Sequence, residues 1–479
     1  MEKEDDFTIW SVKAEKLYTK LSEEYLKMEV GEEYSKKTIS ILEEKNKKHS
    51  ELFIERFRTP QELIFDSVNT IAKATTHKLS LKLHELRKTK ICIKNIKYNK
   101  HPVCWTNWRQ FATQTSDKQR KKVFDIFIKK TPAITPVIQN FFETTKKIYT
   151  NYNLNPLDVY LQQHKLTVEQ LRDVLQKLGD AVKEKFQTEF NKYTKKFLER
   201  PPEYYDDFYF MRNIIFEDMT EGFAKVQPQK TVIKLLQDLK FPTQLIHVDA
   251  IDRPKKYPSP FCSFVQIPND IRISYKPENP LQTAIALYHE FGHAAHAISI
   301  EPKLPYHKKY ILSEGLTETF SIFLENILSD KNYLIQVLGL TQTYATELIE
   351  RIKFSEHFAI SFYIANSLLK IDQWEKNLTI KQMNEAYAQY LKTWLGLDVP
   401  GEYWQLHHIL PEALMYVPSY LLAMIRANEL TEMLKNKYGT WWWAHKRSGD
   451  ELRNIMQPGA DSPISDFSKL DIQAYIKTI

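Results

Sequence analysis

The sequence predicts a mainly α protein, large and helical, with one small β-sheet, and three observations carry that expectation. Glycine is scarce, at 11 in 479 residues, so few positions can make tight turns of positive φ. Through most of the chain apolar residues recur every three or four positions with Lys and Glu between them, the mark of amphipathic helices. Only residues 244–280 depart from this, turning to β-branched and aromatic residues punctuated by six prolines.

Taken in order, the helical period runs from AEKLYTKLSEEYLKM through TVEQLRDVLQKLGDAVKEKFQTEFNKYTKKFL at 167–198. Pro201 and Pro202 break it, and a shorter helical piece follows. The 244–280 stretch reads as two or three short strands, the only sheet expected. Helix then resumes to about residue 440, with Pro400, Pro411 and Pro418 marking loops or kinks. No repeat or low-complexity linker divides the chain. A soft boundary near 245 separates a helical N-terminal half, 1–245, from a second half, 246–479.

Composition excludes several classes. Hydrophobic residues at 43% and charged residues at 27% are ordinary globular usage, which disfavours disorder and coiled coil. The net charge of +7, from 67 basic and 60 acidic residues, is mild and names no partner. The most basic stretch, RKTKICIKNIKYNKH at 87–101, reads as a solvated face or loop rather than a nucleic-acid contact. Cys92, Cys104 and Cys262 form no CxxC pair, and free thiols in a reducing cytosol are expected. MEKEDDFTIW lacks the basic-then-apolar pattern of a signal peptide, and no apolar run approaches the ~18 residues of a membrane span. A soluble cytoplasmic protein is expected, with no membrane or nucleic-acid partner.

The chemistry concentrates in YHEFGHAAH, residues 288–296. On a helix His289 and His293 are four apart and project from one face, close enough for both imidazoles to hold one metal. Glu290 beside them is the carboxylate that zinc hydrolysis needs to take a proton from water. A third ligand is lacking from this segment, and KYILSEGLTETFSIFLENIL offers Glu314 and Glu318 on one helical face. His296 fits a hydrogen bond to a ligand better than a metal bond, and Cys262 and Met415 read as packing.

HEFGHAAH resembles the HEFGHxxH signature of the thimet oligopeptidase and neurolysin family of zinc peptidases. In that family a glutamate on a later helix is the third ligand, with Glu-Asn seven residues on, and ETFSIFLEN repeats this with Glu318, Glu325 and Asn326. The resemblance thus implies one Zn²⁺ per chain held by His289, His293 and Glu318, with Glu290 as base and Glu314 steadying a ligand histidine. HHILPEALMYVPSY is similar to the family segment in which a histidine precedes a tyrosine by twelve, here His408 and Tyr420. These two are the candidate donors to the developing oxyanion, with Tyr416 behind them.

The Taq carboxypeptidase family is also similar, through SPFCSFVQIPNDIRIS and through the spacing of His408, Tyr416, Pro418 and Tyr420, although Ser259 stands where that family has histidine. Both resemblances imply a deep channel between two helical walls, with zinc at its floor and short unstructured peptides as substrates. The expectation is an oligopeptidase cutting internal bonds. The alternative is a metallocarboxypeptidase, with Lys353 beside Ile352, or Arg351 or Arg272, gripping the terminal carboxylate. A helical protein that binds peptides or nucleic acid without catalysis is a further alternative, which the retention of Glu290 argues against.

Overall fold

The computed structural model describes residues 2–57, 59–253, 255–257, 259–277, 279–407 and 411–479. These residues form a large, mainly helical protein with two small sheets. The helices begin where capping chemistry allows. Ser35 accepts the Thr38 N–H ahead of the Lys36–Arg56 helix. The Val168–Leu198 helix opens on a reciprocal capping box between Thr167 and Gln170, and stops at left-handed Glu199 just before Pro201. Two further helices, Lys446–Met456 and Ile472–Ile476, extend the helical region beyond residue 440.

One hydrophobic core takes side chains from both sides of residue 245. Phe186 and Phe190 of the Val168–Leu198 helix pack at a tilt against Phe358 of the long Gln342–Lys376 helix, with ring centroids 5.0 and 4.9 Å apart. Among the described residues no helix is long and apolar enough to cross a membrane.

The basic stretch corrects two expectations. Cys92–Tyr98 and His101–Cys104 pair as an antiparallel hairpin, β1–β2, so the chain has a sheet beyond the one expected. A register shift between Ile93 and Lys97 interrupts the strict alternation, so that Ile93 and Ile96 turn inward while Lys94 and Lys97 stay exposed, and Asn99 and Lys100 turn the chain with positive φ. Cys92 faces Cys104 across the ladder, and the two form a disulfide, leaving Cys262 as the free thiol. That pairing removes the cysteine-based argument for a reducing compartment. Arg87, the first cation of the stretch, is buried and turned inward. It donates to Glu412 Oε2 at 3.0 Å and to the Gln405 and His407 carbonyls, both at 3.5 Å.

The 244–280 stretch forms the second sheet, with Ile246–Asp249 (β3), Phe261–Gln266 (β4) and Asp270–Ser274 (β5) in the order β3-β5-β4. β3 runs parallel and β4 antiparallel to β5, with Cys262 opposite Ile273. The central strand buries Ile271 and Ile273 against the core. Asn279 then caps Leu281 at 2.9 Å and Pro280 takes the first helical position, starting the Pro280–Ser299 helix that carries the motif histidines.

Candidate metal centre

Two helices build the centre, the histidine helix Pro280–Ser299 and the glutamate helix Glu314–Glu325. Gly292 allows their close approach. A Cβ at that position would lie 2.4 Å from the Phe320 carbonyl oxygen and 2.5 Å from Ser321 Cα, both backbone atoms that cannot swing away. Gly292→Ala should therefore push the helices apart at the ligands, costing about 1–3 kcal/mol. Thermal unfolding of the metal-free protein checks the stability, and a zinc titration checks the coupled loss of affinity.

The glutamate helix is fixed at its start by two caps. Ser313 Oγ accepts the Leu316 N–H, and buried His164 accepts the Gly315 N–H at Nε2, 3.1 Å away. The other ring nitrogen of His164 is 2.8 Å from the Tyr160 carbonyl, which fixes the neutral tautomer with Nδ1 as donor. A Cβ at Gly315 would meet that ring at 2.8 Å, so glycine is needed for the cap.

His289, His293 and Glu318 come together, with one ligand atom from each lying within 4.8 Å of the others; helical spacing implied the two histidines, and the resemblance chose Glu318 over Glu314. Glu318 is 1% exposed, and its oxygens lie 3.4 Å from His289 Nε2 and 3.8 Å from His293 Nε2. The remaining bonds orient the set. Tyr416 donates its hydroxyl to Glu318 Oε1 and Ser321 donates to Oε2 at 3.1 Å. His293 bonds the Thr317 backbone, and His289 Nδ1 lies 2.9 Å from Glu325 Oε2.

Electrostatics follow from burial and these neighbours. Burial alone would push His289 down, but the Glu325 hydrogen bond and the charges of Glu318, Glu325 and Glu290 outweigh it and raise the group to about 9. Burial and His289 hold His293 well below its ordinary value. Burial pushes Glu290 up to about 7, with the charge of Glu318 adding to it and His289 and the Cys262 backbone bond opposing it. Glu318 is raised by burial despite His289, Tyr416 and Ser321.

Several expected roles change. The carboxylate on a ligand histidine is Glu325, not Glu314. The charge of Glu314 is felt instead by Tyr149, Tyr160, His164 and Tyr416. His296 makes no hydrogen bond to a ligand. It is fully buried against Phe320, with ring centroids 4.4 Å apart, and burial drives it down to about 3. Cys262 does more than pack, because its backbone bonds Glu290. Met415 is buried, as expected. Tyr416 is committed to Glu318, and Tyr420 lies one ring further out, 5.4 Å from Tyr416. His408 lies outside the described residues. Its neighbour His407 is buried, with Nε2 2.9 Å from the Tyr209 hydroxyl.

None of the three anticipated carboxylate grips faces the centre. Arg351 is buried on Asp218, Glu347 and the Ile215 carbonyl. Lys353 reaches the Thr478 carbonyl, and Arg272 pairs with Asp270.

In the sequence Glu325 reads only as part of the motif, and its bond to His289 goes to Glu314 instead, although Glu325 follows Glu318 by two helical turns and shares its face. Glu325→Gln should weaken zinc binding roughly 10–100-fold by replacing the charged acceptor of the His289 Nδ1–H with a weaker neutral one. Competition against a chromophoric chelator checks this.

Among solved structures, the chain is similar to one titled "PZ peptidase A with inhibitor 2", with a TM-score of 0.59 and 12% identity over 95% of this chain and 86% of that one. No family model matches the sequence, and no curated protein matches it. The likeness establishes the fold. The chain shares the fold of that structure, and within it three candidate metal ligands converge.

Proposed function

We propose that the chain is a zinc-dependent metallopeptidase that hydrolyses short, unstructured peptides, with one metal held by His289, His293 and Glu318. The observation that carries this reading is the convergence of two imidazoles and a carboxylate from two helices, with the carboxylate of Glu290 beside them. The donor set fits zinc. Ligands bound tetrahedrally at ~2.0–2.1 Å lie about 3.4 Å apart; here Glu318 Oε2 lies 3.4 Å from His289 Nε2 and Oε1 lies 3.8 Å from His293 Nε2, and one ligand atom of each residue lies within 4.8 Å of the others. Glu325 completes the pattern by holding the outer nitrogen of His289. The resemblances to the thimet oligopeptidase and Taq carboxypeptidase families and the peptidase fold support the same conclusion.

Bound there, zinc supplies a Lewis acid for the scissile carbonyl and acidifies water. Glu290 takes the proton of the attacking water and returns it to the leaving amine. Burial makes its carboxylate a stronger base than an exposed one. Tyr420 stays protonated, because burial and the Glu318 charge hold it well above its ordinary value. Its hydroxyl is therefore the donor this reading assigns to the growing oxyanion. Tyr416 positions Glu318 instead.

The place of the cut has two readings, inside the peptide or near its carboxyl end. The spacing of Tyr416, Pro418 and Tyr420, which is similar to that of the Taq carboxypeptidase family, favours the second. Incubating the zinc-loaded protein with an unstructured ten-residue peptide and weighing the products tests both. Short C-terminal pieces are the expected result. Fragments spread through the peptide would restore the oligopeptidase reading. No turnover beyond that of Glu290→Gln would overturn the peptidase assignment.

A further inference from the structure

Tyr416 stands at the start of the Val417–Tyr438 helix and donates its hydroxyl to the ligand Glu318. The residues that deliver it have no regular structure of their own. Among the described residues, 411–415 make no backbone–backbone hydrogen bond. Where the Tyr416 ring stands therefore depends on what grips the side chains and carbonyls just before it.

Those grips come from distant parts of the chain. Arg87 is buried in the last turn of the Gln61–Thr89 helix. It donates through Nη1 to Glu412 Oε2 at 3.0 Å and through Nη2 to the Gln405 and His407 carbonyls, both at 3.5 Å. One planar guanidinium thus ties the end of the Tyr403–Leu406 helix to the segment that leads into Tyr416. Trp374 Nε1 adds a bond to the Leu414 carbonyl at 3.2 Å. The Leu414 side chain packs against Phe65, Val68, Ala72, Tyr149 and Val159, and the first three of these share a helix with Arg87. Apolar side chains would join the same surfaces about as well as a buried ion pair. What the pair adds is direction, because the fork meets a carboxylate and two carbonyls in one arrangement only.

We infer that Arg87 is a positioning residue for the metal centre: by fixing Glu412 it sets the Tyr416 hydroxyl on Glu318 and so holds that carboxylate in the orientation the metal needs. This rests on the metallopeptidase reading. Arg87 bonds none of the three ligands itself, and its effect passes through Tyr416. The N-terminal half of the chain thereby acts on a centre whose ligands all lie after residue 288.

The test measures zinc affinity by chelator competition, and kcat and KM on the ten-residue peptide, in the full chain carrying Arg87→Lys, Glu412→Ala or Tyr416→Phe, singly and with Tyr416→Phe as the second change. Lysine keeps a charge beside Glu412 and loses the fork, whereas Arg87→Met would leave that carboxylate without its partner and lower stability. Tyr416→Phe should weaken zinc roughly 10–100-fold, the usual effect of removing a group that orients a ligand. Arg87→Lys should weaken it by roughly 3–10-fold, since the Tyr416 bond is loosened rather than lost. It should lower kcat and leave KM unchanged. Glu412→Ala cuts the same tether from its other end and should repeat both results. Neither change should add to Tyr416→Phe, because two substitutions that act through one bond are not additive. A merely structural arginine would lower thermal stability and leave zinc affinity and kcat alone. Unchanged affinity in Glu412→Ala, or losses that multiply with that of Tyr416→Phe, would overturn the inference and leave the peptidase reading standing. Absence of turnover in the unmodified protein would instead remove the peptidase reading, while the affinity cycle needs no turnover to be read. Failure of the unmodified protein to bind zinc would remove both.

Discussion

Glu290→Gln should lower kcat on an unstructured peptide by roughly 10²–10⁴-fold, the usual contribution of a positioned general base, while zinc stoichiometry stays at one per chain. Glutamine keeps the shape of the side chain and can still accept the Cys262 backbone bond. It cannot take a proton from water. KM should change little, because the lost interaction belongs to the transition state rather than to binding. The pH profile provides an independent check. Burial raises Glu290 from 4.5 to about 7 in the metal-free fold, and a divalent charge at the ligands pulls it back down. The acid limb of kcat/KM should therefore fall between these values, with activity lost as pH drops through it. A variant retaining a tenth of the activity would place the base elsewhere.

Zinc affinity should rise about tenfold per pH unit between pH 7 and 9 and level off above. In the metal-free chain His289 is raised to about 9, so at neutral pH it carries a proton that the metal must displace. The sign is consistent with folding. A histidine raised above its ordinary 6.5 contributes stability that is fully present below 6.5 and is lost as pH rises through 9. The metal-free protein should accordingly lose stability over that window, and zinc should restore it by replacing the proton. His293, held well below 6.5, is neutral throughout and adds nothing to the slope. In Glu325→Gln the principal partner that raises His289 is gone, so the rise in affinity should move to lower pH. Chelator competition at several pH values measures both effects. A flat profile in the unmodified protein would show that His289 is already neutral at pH 7.

The parts of the centre legible in the sequence are those fixed by local spacing. His289, Glu290 and His293 lie within one helical turn, and a period of 3.6 alone sets them side by side. Glu318 was legible only with help from the resemblance, because Glu314 shares its face. The structure separates the two, directing Glu318 to the histidines while Glu314 sits at the helix start beside His164. Contacts between distant segments left no pattern to read. The Cys92–Cys104 pair depends on hairpin register, and its turn uses Asn99 and Lys100 rather than glycine. Arg87 was read as part of a solvated face because nothing local shows that it reaches Glu412. Tyr209 and Tyr363 come from two elements far from the motif, and only the packed fold sets Tyr363 against Tyr420.

The most direct test of the metal centre is to strip the protein with chelator, return zinc in steps, and follow peptide turnover and bound metal in the same samples. Turnover should be absent in the stripped protein, rise in proportion to zinc up to one ion per chain, and be absent at every zinc level in His293→Ala. Turnover that survives stripping or the loss of His293, or one bound zinc with no turnover of any peptide, would contradict the assignment of His289, His293 and Glu318 as a catalytic metal site.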